Sequence, residues 1–166
     1  MRRAAAVLAM AAALFIAGCA TPAPPAVSSP SSADSGAWSG RLAVKVDGQP
    51  PQSFSAAFEL KGRAETGDLA LRTPLGNTAA QLAWSPGRAS LRSGSQIQEF
   101  DSLDALVTHA TGTPLPVAAL FDWLAGTPTV AQGWEADLSE LRSAGRLQAR
   151  RLAPPPAAEL RLVLDR

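Results

Sequence analysis

Few side chains in this sequence could carry out a reaction, and each has a simpler use. His109 is the single histidine. It falls on a helical stretch but off that stretch's apolar stripe, which suits a solvent-facing or helix-end residue better than a general base. Ser95 follows Gly94, but no Gly-x-Ser-x-Gly pattern surrounds it and no strand-turn-helix context would activate it. Asp101 and Asp104 could act as paired carboxylates, yet capping and the first-turn dipole of a helix account for both. No glycine pattern can cradle a phosphate. Cys19 is the only cysteine, so disulfides and thiolate zinc sites are excluded, and one histidine argues against a metal centre. No cofactor is implied. With no candidate base near a nucleophile, the sequence points away from an enzyme. A net charge of +1 gives no electrostatic case for nucleic acid.

What is left is apolar chemistry, concentrated around one loop. Leu69 and Leu71 alternate with Ala70 and Arg72, and Ala80, Leu82 and Trp84 alternate with Ala79, Gln81 and Ala83. A period of two marks half-buried strands. Between these arms lies Thr73-Pro74-Leu75-Gly76-Asn77, where Pro74 and Gly76 supply the fixed and the permissive φ of a tight reversal. A loop tip is normally polar, and Leu75 is not. Two readings stand: Leu75 folds back onto the core, or it points outward to touch a membrane or an acyl chain.

The chain begins with Met1-Arg2-Arg3 and an unbroken apolar run from Ala4 to Ile16. As a helix that run spans roughly 20 Å, short of a bilayer core of about 30 Å, so residues 1–18 read as a secretory signal peptide. Its end, Ile16-Ala17-Gly18-Cys19, resembles a bacterial lipobox, which implies cleavage before Cys19 and acylation of that residue. Ile16 stands where Leu is usual. Ala20 after it resembles the outer-membrane sorting default. Residues 19–37 are rich in Pro, Ala and Ser and cannot bury a core, so they form a tether. The folded domain is expected over 38–166, long enough for one core.

The elements that must position the loop follow in order. Leu42, Val44 and Val46 alternate on a first strand. Phe54, Phe58 and Leu60 share one parity on a second, with turns expected at Asp47 to Pro51 and at Lys61-Gly62-Arg63. After the two arms, Ser85-Pro86-Gly87 turns the chain into a fifth strand with Ala89 and Leu91, and a short sixth spans Ile97 to Phe100. Such closely spaced turns imply antiparallel hairpins. The period then changes. Asp101 is the expected cap of a helix whose face is Leu103, Leu106, Val107 and Ala110, stopped by Gly112. Pro116 is the expected first residue of a second, with Val117, Leu120, Phe121 and Leu124 on one face, ended by Gly126 and Pro128. Residues 127–146 are ambiguous, with a weak strand near Trp134 to Leu138. Leu147 and Ala149, then Leu160, Leu162 and Leu164, mark the last strands. The four tryptophans are mostly expected in or near the core. The fold class is therefore mainly β (α+β): an incomplete antiparallel β-barrel, that is, one curled sheet, with short lid helices over an apolar cavity. A flat sheet with helices on one side and a sandwich are the alternatives.

Several segments, taken in order, resemble the outer-membrane lipoprotein receptors of the lipoprotein-localisation system, the LolB family. They are Trp38 to Val44, the Thr73-Pro74-Leu75-Gly76-Asn77 loop, Gly112 to Val117 with Leu120, Trp123-Leu124 and Gly126-Thr127-Pro128, and Leu160 to Leu164. Phe58-Glu59-Leu60, Gly133-Trp134 and a short region after Glu140 depart from the family's pattern. The resemblance implies an open half-barrel that takes triacylated lipoproteins from a soluble periplasmic carrier of related fold (LolA-like) and releases them into outer-membrane lipid. It implies lipid attachment at Cys19 and a membrane-insertion loop of Pro74, Leu75 and Gly76. Parity selects Phe54, Phe58, Leu69, Leu71, Leu82, Leu120, Phe121 and Leu124 as the acyl-chain cavity. A monomer on the periplasmic face is expected, with no nucleic acid, no metal and no cofactor. The competing reading is a lipid-anchored envelope accessory protein that binds partners through sheet edges. A cell-wall or lipid hydrolase comes last.

Overall fold

The structure is a computed structural model and describes residues 35–165. The signal peptide, Cys19 and nearly all of the tether lie outside the described residues. The first strand already starts at Gly36, two residues before the domain boundary expected from sequence.

One nine-stranded antiparallel sheet carries the fold. Its strands are β1 (Gly36–Val46), β2 (Gln52–Arg63), β3 (Thr66–Arg72), β4 (Thr78–Ser85), β5 (Arg88–Ser93), β6 (Gln96–Phe100), β7 (Trp134–Asp137), β8 (Arg146–Arg151) and β9 (Ala158–Leu164). The order across the sheet is β6-β5-β4-β3-β2-β1-β9-β8-β7, so the sheet is not closed. Helices α1 (Leu103–Thr111) and α2 (Val117–Leu124) lie between β6 and β7 in the chain and cover the inner face. A four-residue helix, α3 (Leu141–Ala144), precedes β8. A single sheet rules out the sandwich, and an apolar cavity between sheet and helices rules out the flat arrangement.

Register explains why one face is apolar. Leu91, Leu82, Leu69, Leu60 and Trp38 stand opposite one another in a row across five strands. A second row joins Ala149, Leu160, Val44 and Phe54. Because side chains alternate, fixing one such row sends every second residue of each strand inward. The outward face is polar, as in the exposed Arg72–Glu59 ion pair at 2.9 Å.

Three details differ from the sequence expectation. Lys61-Gly62-Arg63 is strand, not turn; the reversal is at Ala64-Glu65. Gly62 faces Gly67 across the β2–β3 pair, and a Cβ on Gly62 would lie 2.5 Å from the Gly67 Cα and 2.3 Å from the Thr66 carbonyl oxygen. That glycine serves close backbone approach rather than reversal. The α1 cap is Ser102, whose Oγ accepts from the Ala105 N–H at 3.1 Å, and not Asp101. Pro116 is the residue before α2, with ψ at 75°, and not its first helical residue. In the ambiguous 127–146 region the weak strand expected near Trp134 to Leu138 is present as β7, and the four-residue α3 follows it.

Antiparallel pairing also sorts the loops into two ends. The connections 47–51, 73–77, 94–95 and 152–157 share one end, and Gly36, 64–65 and 86–87 share the other. On β9, the Glu159 carboxylate accepts from Arg161 (2.9 Å), Arg150 (3.2 Å) and the Gln148 amide. Burial pushes its pKa up, but these hydrogen bonds together outweigh burial and leave it below the ordinary glutamate range. A carboxyl held low in the fold contributes stability above its unfolded pKa and loses it as pH falls through the folded value. Thermal melts from neutral pH down to about pH 3 should show a declining midpoint, and Glu159→Gln should flatten part of that decline. An identical pH profile for the variant would show that the carboxylate contributes nothing at β8–β9.

Candidate functional site

The inner face of the sheet and the two helices enclose an apolar cavity of about 400 Å3. Phe58 and Leu60 of β2, Leu69 and Leu71 of β3, Leu82 and Trp84 of β4 and Leu42 and Val44 of β1 form its sheet wall. Leu103 and Val107 of α1, Leu115 of the α1–α2 linker, and Val117, Leu120 and Phe121 of α2 form its cover. These positions recur every second residue on strands and every three or four on helices, so the backbone periods alone deliver a continuous greasy lining.

The cavity is closed at one end and open at the other. At the closed end the Phe121 ring meets Trp38 edge-on at 5.7 Å and Trp84 at 6.2 Å between centroids. Trp84 is fixed from behind by its indole N–H, which donates to the Arg63 carbonyl at 3.1 Å. At the other end the lining turns polar and exposed: Gln52, Ser53, the partly exposed Phe54, Ser93 and the last turn of α1. That is the end shared by the 73–77 loop.

The loop itself is settled by two backbone bonds. The Gly76 N–H donates to the Thr73 carbonyl and the Thr73 N–H to the Asn77 carbonyl, each at 2.9 Å. Pro74 and Leu75 are therefore the two central residues of a turn, and Gly76 follows at φ +83° with nothing within 4 Å of where its Cβ would be. Leu75 is 88% exposed. It points outward beside the mouth; the fold-back reading fails because a two-residue turn leaves its tip no path to the core.

Of the cavity residues expected from sequence, Phe54, Phe58, Leu69, Leu71, Leu82, Leu120 and Phe121 stand together on the wall. Leu124 does not. It is buried in the core, but the helix has carried it one turn past Leu120, beyond the last lining residue of α2. Sequence reasoning missed the contributions of β1, β5, β9 and α1, although their inward parity and stripe were already visible. His109 packs its ring against Phe100, 5.2 Å between centroids.

Arg151 was also missed. It is buried to 4% exposure where β8 ends beside the mouth. Its guanidinium donates to the Thr113 hydroxyl, to the Pro114 carbonyl at 3.3 Å and to the Pro156 carbonyl at 2.9 Å. It lies 5.8 Å from the centre of the Trp134 ring. Its Nε has no partner. This one cation ties the α1–α2 linker to the β8–β9 loop. The parity of Leu147, Ala149 and Arg151 is the signal that places it inward.

A second hollow, of about 390 Å3 around Ser39, Glu59, Lys61 and Arg72, is charged and has no helix over it.

Fold and site together define a class: a curled, unclosed antiparallel sheet with an apolar interior under two helices and an apolar finger at its mouth. The chain belongs to the family described as outer membrane lipoprotein LolB, whose family model matches residues 37–153. It is 38% identical over 112 residues to the outer-membrane lipoprotein LolB of Halorhodospira halophila, covering 66% of this chain and 53% of that one. It is 32% identical over 126 residues to that of Chromobacterium violaceum (74% and 68%) and 35% identical over 117 residues to that of Bordetella petrii (68% and 57%). The chain thus spans about half to two thirds of the length of the curated relatives it matches.

Proposed function

We propose that this protein is an outer-membrane lipoprotein receptor: it accepts acylated lipoproteins from a soluble periplasmic carrier and releases them into the outer membrane. The observation that carries the reading is the juxtaposition of an apolar cavity, its mouth, and an exposed leucine on a backbone-clamped loop beside that mouth. Cys19 is the residue that would carry the lipid anchor, holding the domain on the periplasmic face. Relatives named as outer-membrane lipoproteins support that location.

The physical problem is one of transfer. Each buried methylene is worth about 0.8 kcal/mol, so acyl chains do not cross water unescorted. A cavity of about 400 Å3 is the size that holds one drug-sized molecule. Three acyl chains are larger, so loading requires α1 and α2 to move off the sheet. Shelter by a cavity that must open to load is weaker than shelter by a bilayer, which sets the direction of release. Differences in affinity among carrier, receptor and membrane suffice, and no nucleotide is needed. Partner binding by strand addition at β6 or β7 has no use for the cavity and draws no support from it.

The test is displacement. A hydrophobic fluorescent dye should bind the full chain, and a purified triacylated lipoprotein should displace it while the same lipoprotein without acyl chains should not. Dye release by the unacylated form would show that something other than the acyl chains is recognised.

A further inference from the structure

Leu75 is not the only large apolar side chain exposed at the mouth end. Leu152, the first residue of the β8–β9 connection, is 73% exposed. It is followed by exposed Pro154 and Pro155. Val130, 94% exposed, stands just before the Ala131–Trp134 turn. That turn sits against the same connection: Trp134 pairs with Arg151, and the Gly133 backbone abuts the Ala153 carbonyl.

The charges are sorted the same way. In the connections 47–51, 73–77, 94–95, 112–116 and 152–157 the only charged residue is Asp47, and it is ion-paired with Lys45 at 2.9 Å. The opposite end carries Glu65, Asp101, Glu140 and Asp165 in its connections. One end of the domain can therefore leave water cheaply and the other cannot.

We propose that the β8–β9 connection, through Leu152 with Val130 beside it, is a second lipid-contact point, so that the domain docks on the bilayer by two legs flanking the cavity mouth. The Leu75 loop and Leu152 connection are four strand spacings apart, roughly 19 Å in a flat sheet and less in a curled one. A protein partner would be met by a continuous patch; separate tips on uncharged, proline-rich loops fit a fluid surface that closes around each. Two legs fix the tilt of the domain, where one leucine leaves it free to swing. They bring the rim of the mouth down to the lipid, and Arg151 couples the second leg to the α1–α2 linker.

The anchor permits this pose. β1 starts at the opposite end, so an anchor at Cys19 on the mouth side would need a connection longer than that strand. Fully extended, the stretch from Cys19 to Gly36 reaches roughly 55 Å, against about 36 Å for the 11 residues of β1.

The inference rests on the receptor reading, and the test separates the two. The lipidated full chain is reconstituted into vesicles of phosphatidylethanolamine and phosphatidylglycerol. Spin labels are attached in turn to Leu75→Cys, Leu152→Cys and Glu65→Cys, and depth is read from relaxation by oxygen against a water-soluble nickel complex. The expected result is lipid immersion at 75 and 152 and water exposure at 65. Immersion at 75 with 152 as wet as 65 overturns the second leg and leaves the receptor reading standing. Water exposure at both 75 and 152 overturns the docking pose and removes the membrane step from the receptor reading as well. A protein contact at 152 would show as immobilisation of the label without access to oxygen, and it too overturns the proposal.

Discussion

Leu75→Glu should fold normally and fail to deliver cargo to membranes. The side chain is 88% exposed, and both bonds that hold its loop are backbone to backbone, so the fold has nothing to lose. Stability should stay within about 0.5 kcal/mol of the parent. The bilayer is less tolerant. Leucine favours hydrocarbon slightly and a charged side chain opposes it, a swing of about 3 kcal/mol or roughly a hundredfold in partition. Cargo should still load, because the tip lies outside the cavity wall. The measurable signature is lipoprotein accumulating on the receptor while transfer to vesicles collapses. Unimpaired transfer by a well-folded Leu75→Glu protein would remove the loop from the mechanism.

Arg151→Ala should have the largest effect on the fold itself. Three acceptors on two separate connections share this one cation: the Thr113 hydroxyl and the Pro114 and Pro156 carbonyls. No carboxylate is among them. Truncation strands those groups and removes the stem packed near Trp134, a cost of about 3–5 kcal/mol. The thermal midpoint should drop by roughly 10–20 °C. Lysine is a poor substitute, because a point charge cannot fork to three acceptors. Arg151→Met retains the stem without the donors and should recover part of the loss. The discriminating readout is amide exchange. Protection should fall first at the Gly112 and Val117 amides that bracket the linker, since the linker loses its tie, while the centre of the sheet stays protected. Uniform loosening of the whole domain would mean Arg151 is simply core and has no special hold on the cover.

How much of this was legible beforehand follows from what each signal measures. Strand parity reports which side chains share a face, and the five strand residues it selected, Phe54, Phe58, Leu69, Leu71 and Leu82, stand on one cavity wall. Helical spacing reports a stripe but not where along the axis a cavity stops, and so Leu124 was misplaced. Lys61-Gly62-Arg63 misled because glycine marks both reversals and close backbone approach, and only pairing with Gly67 distinguishes them. Ser102 directly precedes the first striped residue, Leu103, and that adjacency should outrank the more acidic Asp101. Arg151 was passed over because arginine is read as solvent-facing by type. Its burial depends on Thr113, Pro114 and Pro156, which are distant in sequence and carry no pattern of their own.

The order of the strands has a consequence for how the molecule is made. β1 lies between β2 and β9, so Gly40 pairs with Phe58 on one side and with Leu164 on the other. Six strands can assemble as successive hairpins while the chain emerges, but the seam that completes the centre of the sheet needs the final strand. Topologies with such distant pairings have high contact order and fold slowly. Until that strand arrives, the edge of β1 and the apolar row behind it stay bare, and this chain's need for a protective chaperone should be greatest in that interval.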